Sequence, residues 1–353
     1  MNLVERIADV VWKPAGCCPS LKDWHAENAW ELKDNLVKEY ASLHPGENCD
    51  CYVAQLTNAK VIGNAKLVST ARDIVLGDIQ FLYGAARPES HWLMSRRRLM
   101  VPSSISGTSA VVAASNAENY YHWLFDSLPR LHLLNLAGYA LDEIDHFILD
   151  HSARAFQIES LELLGISKAR IVHCSKRALT RCSRLIVPSM PGPLGYPPRW
   201  VGDFLRKRFV SENVGSSGKK RIYISRRHAR GRKIVNEPDI VPALVRHGYE
   251  IVCTERMTFS EQVALFASAG EVISMHGAGM SNIVFAPPGA KILELGSPLH
   301  TNLSFRTLAA HCDLQYDHLY LDSAPGAGRG DTRFANVVVE PGEFLRKLET
   351  IAR

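Results

Sequence analysis

Between Arg221 and Gly296 the chain alternates short apolar runs with amphipathic stretches, and this rhythm restricts its fold more than any other feature. "RIYISRR" reads as a strand and "PDIVPALVRHG" as a helix closed by Gly248. "YEIVCTE" reads as a strand, and "TFSEQVALFASAG" as a helix opened by a capping box from Thr258 to Glu261. "EVISM" and "KILELGS" follow as two further strands. Strands joined by helices need right-handed crossovers and form a parallel sheet, which collects ligands at the carboxyl ends of its strands. Two such ends here carry polar chemistry, "SRR" and "HGAG".

The same rhythm runs less cleanly from about residue 108. "TSAVVAAS" reads as a strand and "NYYHWLFDSLPRLHLLNLAG" as a helix, followed by the strand "HFILD", the helix "ARAFQIESLELLG" and the strands "RIVH" and "RLIVP". A Pro/Gly-rich stretch, "PSMPGPLGYPPRW", and a polar one, "SENVGSSGKK", mark a boundary near residues 190–215. Upstream, "SLKDWHAENAWELKDNLVKEY" carries a helical pattern, and 51–80 reads as a small β-meander with a tight turn at Gly63–Asn64. The expected class is therefore α/β, with 1–100 as a helical and β-meander region, 101–205 as a first lobe and 206–353 as a second. A chain of 353 residues, 46% of them apolar, suits two packed lobes.

Composition narrows the function. No run approaches the roughly 18 to 20 apolar residues of a membrane span, and "MNLVERIADVVWKPAG" lacks the basic head and apolar segment of a signal peptide, so a cytosolic protein is expected. A net charge of +5 is too small to argue for nucleic acid, yet it suits anionic substrates or loose, peripheral attraction to an acidic membrane surface. The eight cysteines show no disulfide pattern. Cys17, Cys18, Cys49 and Cys51 lack the two-residue spacer that lets paired thiolates wrap a zinc ion.

Three constellations carry chemistry. Arg226, Arg227, Arg230, Arg232 and Lys233 follow one strand, and guanidinium forks suit phosphate oxygens; a solvated basic loop is the plainer reading. "HGAGMSN" follows another strand, and the N–H groups from Gly277 to Gly279 at a helix start would seat a diphosphate. The same glycines also suit close helix packing, with His276 as a core histidine. The turn is neither a GxGxxG fingerprint nor a P-loop, and "GAGRGD" at 326–331 follows no strand, which sets nicotinamide cofactors and ATP aside. In the first lobe Asn119, His122 and Asp126 share a helix face. A carboxylate four residues from a histidine holds one tautomer and raises its basicity, as a general base requires; a half-buried histidine among aromatics is the alternative.

"NYYHWLFDSLPRL", "YISRR" with "RKIVNE", and "SEQVALFASAGEVISMHGAGMSNIVFAPPGAKILEL", in this order, resemble glycosyltransferase family 61 over roughly residues 105–300. The resemblance implies a GT-B architecture, two Rossmann-like lobes facing a cleft. It implies an inverting transfer with no essential metal and no cofactor. The donor would be a nucleoside-diphosphate sugar such as a UDP-sugar, and the acceptor a polysaccharide or lipid-linked glycan of capsule, exopolysaccharide or O-antigen synthesis. Arg226 and Arg232 match the diphosphate-contacting arginines, joined by Arg227. Gly277, Ala278 and Gly279 match the nucleotide turn, with His276 and Asn282 in the same segment, and Glu294 falls where an acidic residue would meet the ribose. His122 and Asp126 match the first-lobe pair, with Asn119 beside them. No Asp-x-Asp metal clamp occurs. A GT-B nucleotide-sugar epimerase and a non-catalytic scaffold of a polysaccharide assembly complex are the rival readings.

Overall fold

In the computed structural model, residues 10–12, 16–18, 36–40, 51–63, 67–77, 79, 98–151, 153–211, 220–326 and 331–351 are described. The chain divides into two compact units, Met1–Val201 and Gly202–Arg353. Both mix strands and helices.

The first unit is built on one ten-stranded sheet. Its strands are β1 (Val10–Trp12), β2 (Gly16–Cys18), β3 (Leu36–Tyr40), β4 (Cys51–Ile62), β5 (Leu67–Ser69), β6 (Ile74–Leu76), β7 (Arg98–Val111), β8 (His146–Leu149), β9 (Ile171–His173) and β10 (Ala178–Pro188). The main path runs β2-β6-β5-β4-β10-β7-β8-β9. From β10 to β9 neighbouring strands are parallel, with α1 (Tyr120–His122) and α2 (Pro129–Leu136) between β7 and β8, and α3 (Ala155–Leu163) between β8 and β9. This is the expected α/β part.

The antiparallel strands are not a separate meander. β4 pairs along nearly its whole length with β10, from Leu179 opposite Ile62 to Pro188 opposite Val53, which fuses both regions into one sheet. The turn after β4 has Gly63 in the left-handed region at φ +51°, where a side chain is strained. Of the helical pattern expected over 20–40, residues 20–35 lie outside the described ones, and Leu36–Tyr40 is a strand paired with β4. The β-branched and aromatic residues at 37 and 40 gain a ladder partner there, and long-range pairing overrides local helical spacing.

The second unit carries a five-stranded, wholly parallel sheet of β11 (Lys220–Ile224), β12 (Tyr249–Val252), β13 (Ala269–Met275), β14 (Lys291–Gly296) and β15 (Gln315–Tyr320), in the order β12-β11-β13-β14-β15. α4 (Arg199–Phe209) leads into the unit. α5 (Glu237–Arg246), α6 (Phe259–Ala267) and α7 (Ser304–His311) connect the strands, and α8 (Pro341–Ile351) closes the chain. Alternation along the strands sends Tyr223, Ile273 and Leu293 to one face, where they pack with Ile240 and Leu244 of α5 and Phe344 and Leu348 of α8. The expected capping box is present: Thr258 Oγ1 accepts from Glu261 N at 3.2 Å, and Glu261 Oε2 accepts from Thr258 N at 2.8 Å. The segment after "HG" is a 3-10 helix, Ala278–Phe285, rather than the expected α-helix. Two prolines follow it at once and leave no room for a longer run. Among the described residues no helix is long and apolar enough to cross a membrane.

Candidate functional site

Strand order in the second unit reverses at β11, because β12 lies on one side of it and β13, β14 and β15 on the other. Ligands of doubly wound sheets bind outside the carboxyl ends of the strands at such a switch point. β11 ends at Ile224, two residues before Arg226, and β13 ends at Met275, two before Gly277. Glu237 fixes the first end: its two oxygens accept from Tyr223 OH at 2.8 Å and Ser225 Oγ at 2.9 Å.

Arg226 turns into its own loop. Nε donates to the Arg232 carbonyl at 3.2 Å and Nη2 to the Gly231 carbonyl at 3.1 Å. The loop curls back because Arg232 adopts φ +56°, a conformation rare outside glycine. Burial, helped by the charge of Arg232 and opposed by Glu255, lowers the Arg226 guanidinium to about 10, so it stays cationic at neutral pH. Gly277 packs against this guanidinium so closely that a Cβ there would lie 2.7 Å from Arg226 Cζ. A Cβ on Gly279 would lie 2.8 Å from Thr254 Oγ1. Gly277 has an extended φ of 168°, so glycine is required here for space and not for backbone conformation.

The other residues of the turn take distinct places. Ala278 opens the 3-10 helix, whose first N–H groups have no intrahelical acceptor. Asn282 is fully buried and structural in its contacts, donating to Gln262 Oε1 at 2.7 Å and to the Gly279 carbonyl at 3.1 Å. Arg227 is exposed, and its charge is favoured by Cys253. The Arg232 side chain is lowered by burial and supported by Glu294, while its Nε is buried with no hydrogen-bond partner. Glu294 is 1% exposed, and both of its oxygens are engaged, by His276 Nδ1 at 2.5 Å and by Tyr316 OH at 2.5 Å. The carboxylate expected to meet the ribose is thus held by two protein partners in this structure.

In the first unit, the segment after β7 holds a histidine and a carboxylate. Asn119 caps α1 by accepting from Tyr121 N at 2.9 Å, so its side chain serves the backbone rather than the expected shared face. After His122 the chain widens into a π-turn, Trp123–Ser127, closed by Leu128 N on the Trp123 carbonyl at 2.9 Å. Pro129 has no N–H for the Phe125 carbonyl and would clash in a continuing α-helix, and a wider turn absorbs that misfit. Within it His122 Nδ1 meets Asp126 Oδ2 at 2.7 Å, with side chains 17% and 6% exposed.

The rest of this segment is tied down. Trp123 Nε1 donates to Ser160 Oγ at 2.8 Å, and Ser127 Oγ accepts from Ala114 N at 3.0 Å. Fully buried Arg130 donates to the Ile79 carbonyl at 2.5 Å and the Ala113 carbonyl at 3.4 Å. Burial lowers Arg130 to about 10, and the charge of Asp126 opposes that shift.

The structure thus brings Arg226, Arg232, His276, Gly277 and Glu294 to one sheet end and joins His122 to Asp126. Sequence reading missed Tyr316, His300 and Arg130. Tyr316 and His300 lie 22 and 24 residues beyond Glu294 and His276 respectively, beyond any local period; only Arg130, four residues after Asp126, carried a helical-spacing signal. Of the cysteines once weighed for zinc, Cys51 is buried and donates to the Pro191 carbonyl at 3.4 Å, Cys17 and Cys18 stand in β2, and Cys49 lies outside the described residues. "GAGRGD" also lies mostly outside them. Among the described residues no three His, Cys, Asp or Glu side chains gather as a metal site.

A doubly wound sheet with half-buried arginines and a crowded glycine turn at its switch point, in a chain whose other unit carries a histidine–aspartate pair, makes this an α/β protein. A family model described as Glycosyltransferase 61 matches residues 120–293, which include both features. Curated relatives are named as sugar transferases. The chain is 36% identical over 76 residues to the EGF domain-specific O-linked N-acetylglucosamine transferase of Drosophila melanogaster, covering 21% of this chain and 14% of that protein. It is 36% identical over 94 residues to the protein O-linked-mannose beta-1,4-N-acetylglucosaminyltransferase 2 of Tetraodon nigroviridis, covering 24% and 16%. It is 26% identical over 153 residues to the alpha-1,3-arabinosyltransferase XAT3 of Oryza sativa subsp. japonica, covering 39% and 26%. In each case the match spans well under a third of the relative's length.

Proposed function

We propose that the chain is an inverting, metal-independent glycosyltransferase of GT-B type that moves a sugar from a nucleoside-diphosphate sugar, such as a UDP-sugar, to a polysaccharide or lipid-linked glycan. It acts in the cytoplasm, with a peripheral relation to the membrane where capsule, exopolysaccharide or O-antigen is made. The observation that carries this reading is the packing of half-buried Arg226 against Gly277 at the switch point. The family-model match and relatives named for transfer of N-acetylglucosamine and arabinose support it.

The chemistry is a single displacement. The acceptor hydroxyl oxygen attacks the anomeric carbon, and the bond from that carbon to the diphosphate oxygen breaks, its electron pair passing to the phosphate. His122, oriented by Asp126, takes the hydroxyl proton. Arg226 and Arg232 offset the charge that grows on the diphosphate, the role a metal ion fills elsewhere.

The test is to incubate the chain with a panel of sugar nucleotides and glycan acceptors, following free diphosphate and the anomeric configuration of the product by NMR. Acceptor-dependent diphosphate release with inversion supports the proposal. Interconversion of sugar nucleotides without an acceptor would make it an epimerase, and binding without turnover a scaffold.

A further inference from the structure

A cavity of about 700 Å³ opens in the second unit between the loop after β11 and the segment after β15. Val235, Ala324 and Phe334 give it apolar walls, and Arg230, Asp331 and Asn336 its polar groups. Small-molecule sites usually measure roughly 300 to 1,000 Å³ and combine such walls with a few polar groups. Val235 is 53% and Phe334 49% exposed, so both keep an apolar face open. None of these residues is among those the family resemblance assigns, and those from 324 onward lie beyond the matched region 120–293.

Gly231 links the cavity to Arg226. Its carbonyl accepts from Arg226 Nη2 at 3.1 Å, while its α-carbon packs on Phe334 so closely that an added Cβ would lie 2.9 Å from the Phe334 Cβ and 2.7 Å from the Phe334 carbonyl oxygen. Arg232 N donates to that carbonyl at 3.2 Å, and Lys233 N donates to Asn336 Oδ1 at 3.0 Å. The two segments are laced together, and a group esterified to a diphosphate on Arg226 would have the cavity beside it.

The polar groups select the chemistry of that group. Lys233 N can only donate, so it fixes the Asn336 amide with Oδ1 toward the backbone and leaves Nδ2, a donor with no partner among the described residues. Arg230 is exposed and is likewise a donor alone. Both Asp331 oxygens are engaged by Arg333, at 2.9 Å to Nε and 2.7 Å to Nη2. Donors beside an open aromatic face match a flat ring that carries carbonyl acceptors. Uracil presents two carbonyls; cytosine has an amino donor at C4 in place of one, and adenine has no carbonyl.

We infer that this cavity is the base subsite of the donor site, taking the uracil of a uridine diphosphate against the Phe334 ring, with Asn336 Nδ2 donating to the C4 carbonyl and Arg230 to the C2 carbonyl. This deepens the donor reading above and rests on it. Because Lys233 N holds the amide, Asn336 does not turn to accept from an amino group, and cytosine in the same place sets donor against donor.

Calorimetry on the full chain with UDP, CDP and inorganic diphosphate tests the subsite. Wild-type protein should bind UDP about tenfold or more tighter than CDP, the order of one hydrogen bond lost and a donor left unpaired. Asn336→Asp keeps the acceptor for Lys233 N and turns the donor into an acceptor, so the preference should vanish or reverse. The added charge repels both nucleotides alike and drops out of their ratio. Phe334→Ala keeps the Cβ and carbonyl that pack on Gly231 and removes only the ring, so it should weaken both nucleotides by about tenfold and leave inorganic diphosphate unchanged. No preference in wild-type protein, a preference that Asn336→Asp leaves intact, or an equal loss of nucleotides and inorganic diphosphate in Phe334→Ala would overturn the base subsite while leaving the donor reading standing. Wild-type protein that binds neither nucleotide would sink the donor reading and this inference together.

Discussion

Gly277 lies so close to the Arg226 guanidinium that an added methyl would meet both Nη1 and Cζ, and could fit only if that group moved. Its extended backbone would accept any residue, so the requirement comes from Arg226 alone. Gly277→Ala should therefore displace the guanidinium and weaken nucleoside diphosphate binding by about tenfold or more, the order of one charged hydrogen bond pair. The melting temperature should shift by only a few degrees, as for a loss of about 1 kcal/mol. Calorimetry and a melting curve on the same sample check it; unchanged affinity would take Arg226 out of the site.

The His122–Asp126 pair separates chemistry from binding. His122→Ala should lower kcat by about 10² to 10⁴, the usual cost of losing a general base, with nucleotide affinity nearly unchanged. Asp126→Asn should cost less, because it removes the orienting acceptor and leaves the ring. Steady-state kinetics decide, and the reverse ranking would make Asp126 the base.

Much of this arrangement was legible in the sequence because it is local. The parallel rhythm of the second unit, the Thr258–Glu261 box and the i,i+4 pair His122–Asp126 all follow from spacings of a few residues. The misses are long-range or steric. The antiparallel match of β4 with β10 bridges more than a hundred residues, the Glu294–Tyr316 contact crosses two strands, and the π-turn depends on what Pro129 cannot donate. For Glu294 the sequence shows a residue at a strand end, and nothing in it shows that His276 and Tyr316 engage both its oxygens.

Two histidines near the site give stability a pH slope. His300 and His318 are both held below the ordinary imidazole range, chiefly by burial. Below the unfolded value near 6.5 the unfolded chain binds more protons at these sites than the folded one, so stability present above that pH is lost as pH falls through it toward the folded values. The melting temperature should drop between about pH 7 and pH 5, and a His300→Gln/His318→Gln double variant should show a shallower slope. An equal slope in both proteins would assign the acid loss to other groups.

Excess EDTA should leave turnover at its starting value, because Arg226 and Arg232 carry the charge that a metal would otherwise supply. A loss on chelation that Mn²⁺ or Mg²⁺ restores would reject the metal-independent mechanism.

The central claim is that Arg226 clamps a diphosphate at the switch point of the parallel sheet. Thermal stabilisation by a panel of nucleoside diphosphates, UDP among them, measured on wild-type protein and Arg226→Lys, tests it most directly. A ligand at about 100 times its dissociation constant adds roughly 2.7 kcal/mol to folding stability, and an ammonium cannot reproduce the planar fork. The expected result is a clear shift in wild-type protein with one of these nucleotides, mostly lost in Arg226→Lys although the variant alone melts as wild type does. No shift with any nucleotide, or an equal shift in both proteins, would contradict the assignment.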